Sequence, residues 1–333
     1  MKARHLGAQG PEVSAVGLGC MAMSGTYGPV DDAESIATIH EALERGVTLL
    51  DTGDFYGRGH NELLLREALK GGRRDRVFLQ VKFGAQLEPS GRFFGFDGRA
   101  ASVKTFLAYT LTRLGTDHVD LYQPSRLDPH VPIEETVGAV ADMVRAGYVR
   151  FIGLSEMGAA TIRRAHAVHP ITALQIEYSL MSRSIEKEIL PTVRELGIGV
   201  TAYGILSRGL MARVGPGERG KTDIRGRFPR FQESNFKQNL ILVQALDAIA
   251  KRIGATTTQL ACAWVLSRGD DIIPLLGARN RQQLRDSLGA LELSLSPADL
   301  KEIEKAVPVS AVAGGRYDDA GMSSLDSEQS RAK

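Results

Sequence analysis

The chain has 333 residues, 43% of them hydrophobic and 24% charged, and its 41 Lys and Arg against 39 Asp and Glu leave a formal net charge of +2. That balance suits a globular protein able to bury a large core without metals or disulfides, and the lack of an arginine-rich tract argues against nucleic acid as a partner. Only Cys20 and Cys262 occur, too far apart in sequence for a CxxC site. No apolar run reaches signal-peptide length or the roughly 18 residues of a membrane helix, so a cytoplasmic protein with no membrane partner is expected.

The first residues alternate polar and apolar around Gly7-Ala8-Gln9-Gly10, which predicts a small N-terminal β-hairpin. Short apolar runs of strand length then recur at 15–20, 47–52, 77–81, 119–123, 151–154, 173–177, 199–203 and 272–276. Between and after them the spacing predicts helices over 32–45, 61–70, 103–114, 133–146, 160–168, 185–196, 257–266 and 282–288. Asp31-Asp32 and Pro132 mark helix starts, and Gly46, Gly71, Gly115, Gly147 and Gly197 mark helix ends. Eight continuous apolar strands alternating with amphipathic helices imply an α/β fold with a parallel sheet, closed as a (β/α)8 TIM barrel over residues 1–310, with an open doubly wound sheet as the alternative.

Three stretches lie outside the repeat: 87–98, rich in Gly and Phe; 207–235, a long loop with Gly, Arg and Pro; and 236–253, an additional helix. Long loops on the C-terminal face of a barrel are usually functional. The tail, 311–333, lacks periodicity and is expected to be partly mobile.

In such barrels the chemistry gathers where strands end. The second run ends Asp51-Thr52-Gly53-Asp54-Phe55-Tyr56-Gly57, the third Gln80-Val81-Lys82, and the fourth Gln123-Pro124-Ser125-Arg126, so a carboxylate, a phenol and an ammonium would meet on one rim. Taken singly, Asp51 could be a cap, Tyr56 a loop aromatic and Lys82 a strand-end charge. His118 and His130 read as solvated residues, and no metal-ligand spacing appears.

These segments resemble, in order, the aldo-keto reductase superfamily: Gly17-Leu18-Gly19-Cys20-Met21, the stretch 51–57, the stretch 119–128, Gly153-Leu154-Ser155 and the region 274–279. The details are similar to the bacterial and fungal branch with pyridoxal reductase-like enzymes. The resemblance implies NADPH-dependent, reversible hydride transfer between the cofactor and an aldehyde, ketone or secondary alcohol. Of the family's catalytic Asp, Tyr, Lys and His, the chain keeps Asp51, Tyr56 and Lys82, and Ser125 stands at the histidine position. A free phenol of pKa about 10 is a poor acid at neutral pH. Lys82 is expected to make Tyr56 more acidic while Asp51 holds the ammonium. A serine hydroxyl is too short to replace the histidine directly, which leaves three readings: Tyr56 acting alone in a roomier pocket, His60 or Arg126 substituting, or loss of catalysis.

The chain lacks a Gly-x-Gly-x-x-Gly fingerprint, so the resemblance and not a Rossmann motif implies the cofactor site. Gly19, Cys20, Met21 and Asp51 would border it, Ser155 and Gln175 would hold the nicotinamide carboxamide, and Tyr203 would stack on the ring. Glu156 stands where the family often has Asn. Gly204, Ile205, Leu206 and Arg208 would meet the diphosphate, and Gly277, Arg279 and Arg281, with Gln283 and Ser287 on the following helix, would face the adenosine 2′-phosphate. Tyr27, Phe55, Phe93, Phe94 and Arg126, with Phe96 and parts of 228–236, are the candidate substrate walls. Two rivals remain: an NADPH-binding sensor resembling the β subunits of potassium channels, and a Schiff-base isomerase or aldolase using Lys82.

Overall fold

The computed structural model describes residues 1–212 and 223–329. The chain opens with an antiparallel hairpin, β1 (Ala3–His5) against β2 (Glu12–Ser14). After β3 (Gly17–Gly19), β4 (Leu49–Gly53) and β5 (Phe78–Phe83) comes a second hairpin, β6 (Ala85–Leu87) with β7 (Phe93–Phe96). The remaining strands are β8 (Val119–Pro124), β9 (Val149–Ser155), β10 (Ala173–Glu177), β11 (Gly199–Tyr203) and β12 (Ile272–Gly277).

Strands β3, β4, β5, β8, β9, β10, β11 and β12 pair in that order, all parallel, and β12 closes on β3. Each of the eight apolar runs falls on one of them, so the fold is the closed barrel and not the open sheet. The clearest boundary difference is β9, which starts two residues before its apolar run. Arg150 interrupts the pattern there and pairs with the buried Asp120 of β8 at 3.1 Å.

The helices are α1 (Asp32–Glu44), α2 (His60–Ala68), α3 (Ala100–Leu114), α4 (Ile133–Arg145), α5 (Ala159–Val168) and α6 (Ile189–Glu195). Then follow α7 (Glu233–Arg252), α8 (Thr257–Leu266), α9 (Arg281–Leu288), α10 (Pro297–Ala306) and α11 (Asp319–Ser323). Helix α7 is the helix expected outside the repeat. Helix α10 was not expected, although Ser296 and Asp299 form a capping box and Pro297 opens it, signals present in the sequence. The loop expected over 207–235 contains short helical turns at Ser207–Gly209, Ile224–Arg227 and Pro229–Phe231, and its residues 213–222 lie outside the described residues.

Strand periodicity places the site. Because side chains alternate between the two faces of a strand, Leu49 and Asp51 on β4, Phe78, Gln80 and Lys82 on β5, and Leu121 and Gln123 on β8 share one face. Leu49, Phe78, Leu121, Ala173, Ile273 and Leu275 fill one end of the barrel together with Leu6 and Val13 of the hairpin. The intervening residues, among them Leu50, Leu79, Val81 and Tyr122, belong to the larger core that also includes residues of the surrounding helices. Gly7 lets the hairpin tip press against the barrel: its φ is +79°, and a Cβ there would lie 2.6 Å from the Thr172 carbonyl. With one end stopped by apolar side chains, the polar ends of the same strands meet at the other.

Candidate active site

Asp51, Gln80, Lys82 and Gln175 converge inside that polar end. One oxygen of Asp51 accepts from Lys82 Nζ at 2.6 Å, Gln175 Nε2 at 2.7 Å and Gln80 Nε2 at 3.3 Å. The register sets Asp51 beside Gln80 and Gly53 beside Lys82, so adjacent parallel strands deliver the pair. Burial is the largest influence on Lys82 and pulls its ammonium below the usual range, opposed by Asp51.

Tyr56 sits just past the end of β4 with Lys82 Nζ 5.1 Å from its ring centroid. Phe55 packs edge-on against it at 4.8 Å. The backbone after Tyr56 turns sharply, with positive φ at Gly57 (57°), Arg58 (56°) and Gly59 (93°). A Cβ at Gly57 would come within 2.9 Å of His60 Cβ and 3.0 Å of Ser24 Cβ. The phenol differs from expectation. Burial and then the charge of Asp51 push it well above its ordinary value, and the cation that pulls it down is Arg126. Lys82 is committed to Asp51.

Ser125 follows the end of β8, its amide bonded to the Phe83 carbonyl at 2.8 Å. Its hydroxyl is buried without a hydrogen-bond partner among the described residues. Of the two groups considered as substitutes for histidine, His60 is engaged elsewhere, with Ser24 at 3.0 Å and Asp32 at 3.1 Å. Arg126 points to the mouth, where Nη2 donates to Tyr317 Oη at 3.2 Å and Nη1 to the Ser125 carbonyl at 2.6 Å.

The candidate cofactor residues form an arc from β9 through β12 to β3. Ser155 ends β9 with a buried hydroxyl that has no hydrogen-bond partner among the described residues, while the Gln175 amide nitrogen is already given to Asp51. Tyr203 ends β11 and donates to Glu156 at 2.7 Å. Beyond Gly204, Ile205 and Leu206, Ser207 and Arg208 have positive φ (49° and 58°), and Arg208 Nη2 is buried with no hydrogen-bond partner among the described residues. At Gly277 a Cβ would meet nothing within 4 Å. Among the described residues the Arg279 side chain donates to the Tyr27 carbonyl, at 3.2 Å, and its amide to Gln283 at 2.9 Å. Arg281 is not free as expected, because it forms a two-pronged pair with Glu34. Ser287 is buried in α9, Gly19 and Met21 are half-buried, and Cys20, whose amide bonds to the Asp51 carbonyl, is fully buried.

Donors on Ser155 and Arg208 that lack hydrogen-bond partners among the described residues, the left-handed turn before Gly209 and the approach at Gly277 fit a nucleotide cofactor lying across the mouth. Tyr27 stands on the same side, with the Arg225 guanidinium 5.3 Å from its ring. Phe93 and Phe94 are about half exposed on the β6–β7 hairpin, and Phe93 packs on Phe96 at 4.8 Å.

Sequence reasoning missed the contribution of the C-terminal segment. Arg316 binds Glu156 through both nitrogens, at 2.9 and 2.7 Å, and Ser327 Oγ donates to the same carboxylate at 2.6 Å. Burial alone would raise the Glu156 carboxyl, but Arg316 holds it well below the usual range. Tyr317 is thereby set at the mouth, its hydroxyl 3.2 Å from that of Tyr203 and its ring edge-on to Phe228 at 5.5 Å. The position where the family often has Asn thus anchors the tail.

Comparison with known proteins agrees with this architecture. The model of the aldo/keto reductase family matches residues 15–308. A probable aldo-keto reductase 1 of Glycine max is 44% identical over 317 residues, covering 94% of this chain and 90% of the relative. Among solved structures, the glycerol dehydrogenase AKR11B4 of Gluconobacter oxydans superposes with a TM-score of 0.82 at 28% identity, over 91% of this chain and 94% of that one. The holo form of aldo-keto reductase AKR11C1 from Bacillus halodurans gives 0.77 at 27%, over 93% and 97%. The chain belongs to the aldo-keto reductase family, whose members are oxidoreductases acting on carbonyl groups.

Proposed function

We propose that the chain is a cytoplasmic, NADPH-dependent carbonyl reductase in which Tyr56 is the proton donor. The observation that carries this reading is the buried Lys82–Asp51 pair at 2.6 Å, with the ammonium 5.1 Å from the Tyr56 ring, at the polar mouth of the barrel. Reduced nicotinamide supplies a hydride to the carbonyl carbon. Tyr56 Oη gives its proton to the carbonyl oxygen as the hydride arrives. Lys82, fixed by Asp51, keeps its ammonium beside the ring, and the phenolate left on Tyr56 takes the proton back in the oxidative direction. Ser155 and Arg208 would hold the cofactor, and Arg279 would meet its 2′-phosphate.

The Schiff-base reading fits poorly, since Lys82 is buried in an ion pair. The sensor reading predicts cofactor binding without turnover. Replacement of Tyr56 by Phe separates it from ours: we expect NADPH affinity within about threefold of the parent and a loss of kcat of roughly 10²–10⁴-fold in a screen of aldehydes and ketones. A variant within a few fold of the parent, or a parent that binds NADPH and reduces nothing, overturns the reading.

A further inference from the structure

Four arginines and two glutamates crowd the mouth on the tail side, and their pairing is uneven. Arg316 takes Glu156 at 2.7 Å and lies 3.5 Å from Glu177. Arg230 and Arg208 share Glu177 at 3.5 and 3.8 Å. Arg126 has no carboxylate within ion-pair distance among the described residues. Its two acceptors, the Ser125 carbonyl and the Tyr317 hydroxyl, are both neutral.

A part-buried guanidinium whose direct acceptors are both neutral, and on which Glu156 acts only from beyond ion-pair distance while itself bound by Arg316, keeps donors able to receive an anion. The neighbourhood registers this. Burial alone would push the Tyr317 phenol up, but Arg208 and Arg126 outweigh it and hold it below its ordinary value. The candidate cofactor phosphates would neutralise Arg208 and Arg279, on the β11 and β12 side. Arg126 follows β8 and stands next to Ser125, whose buried hydroxyl has no hydrogen-bond partner among the described residues.

We propose that Arg126, assisted by the Tyr317 hydroxyl, binds a carboxylate carried by the substrate, so that the enzyme selects aldehydes or ketones bearing an anionic group beyond the reacting carbonyl. The proposal rests on the carbonyl-reductase reading above. The guanidinium fork donates two hydrogen bonds to the carboxylate, and Tyr317 turns from acceptor of the Arg126 bond into a donor to the same anion. Arg126 is a specificity-determining residue under this scheme, and proton transfer stays with Tyr56.

The test compares 4-carboxybenzaldehyde with its neutral methyl ester, methyl 4-formylbenzoate, for the parent, Arg126→Gln, Arg126→Lys and Tyr317→Phe. The parent is expected to favour the carboxylate at least tenfold in kcat/KM, mainly through KM. Arg126→Gln should lower that ratio about 10- to 100-fold, Tyr317→Phe by a few fold, and Arg126→Lys should retain part of it. Calorimetry on the NADP⁺-loaded protein with 4-methylbenzoate and 4-methylbenzamide reads the same site without turnover: the parent should prefer the carboxylate, and Arg126→Gln should not. If no aldehyde is reduced but the carboxylate binds preferentially, the reductase reading fails while the anion site stands. An unchanged ratio in Arg126→Gln, an equal loss on both aldehydes, or a loss of NADPH affinity in its place would assign the guanidinium to the carbonyl oxygen or to the cofactor and overturn the proposal.

Discussion

Glu156 and Arg316, 160 residues apart, form a buried two-pronged ion pair that ties the C-terminal segment to the end of β9. Three further bonds reinforce it: the Ser327 amide to the Glu156 carbonyl, Arg316 to Glu328 at 3.1 Å and the Gly158 amide to Asp326 at 2.7 Å. Removing one partner of such a pair strands the other charge, at a cost of roughly 3–5 kcal/mol. Arg316→Gln should therefore lower denaturant stability by about 3 kcal/mol and speed hydrogen exchange over residues 316–328. The double replacement Glu156→Gln/Arg316→Gln should cost less than the sum of the singles. A loss below about 1 kcal/mol in Arg316→Gln would show that the pair does not hold the tail.

Asp54, two residues before Tyr56, gives the chain a distinct pH dependence. Burial and then the charge of Glu62 push its carboxyl up to about 7, against bonds from the Gly84 and Phe55 amides and the charge of Arg113. In the unfolded chain it returns to its ordinary value of 3.8. Between those values the native state holds a proton that the unfolded state releases, so stability falls as pH rises through this window. Asp54→Asn removes the effect. Relative to the variant, the parent should lose up to about 4 kcal/mol between pH 4 and pH 8. Parallel melts with the same pH dependence would refute the shift.

The two arginines beside the proposed 2′-phosphate position should behave differently. Arg281 is held by Glu34, whereas the Arg279 guanidinium has no carboxylate partner among the described residues and donates to the Tyr27 carbonyl. Arg279→Gln is expected to weaken NADPH about tenfold or more and NADH less than threefold, and Arg281→Gln to alter NADPH binding by less than about threefold. Titrations with both nucleotides check this, and equal effects of the two replacements would contradict it.

Asp51 is the hub of the inner site, accepting from three donors through one oxygen. Asp51→Asn keeps the shape but leaves Lys82 buried without its counter-ion. We expect kcat to fall at least about 100-fold and stability by about 3 kcal/mol. Turnover within tenfold of the parent would mean that Lys82 needs no fixed anion.

The barrel was legible in the sequence because its signals are local. Each strand writes its own apolar run and each helix its own period, so the strand ends carrying Asp51, Lys82 and Ser125 could be found by counting. The second hairpin, β6–β7, was visible only as a Gly- and Phe-rich interruption. Helix α10 carries a capping box that is readable in the sequence, although no expected helix covers it.

What the sequence by itself determined was the alternation that fills one end of the barrel with Leu49, Phe78 and Leu121 and brings Asp51, Gln80 and Lys82 to the other. Only the tertiary structure decided how the charges at that mouth pair. Glu156 meets Arg316, Arg281 meets Glu34, and Arg126 meets no carboxylate among the described residues. Ion pairs across such separations depend on distances of a few ångströms set by packing, and no local spacing of residues encodes them.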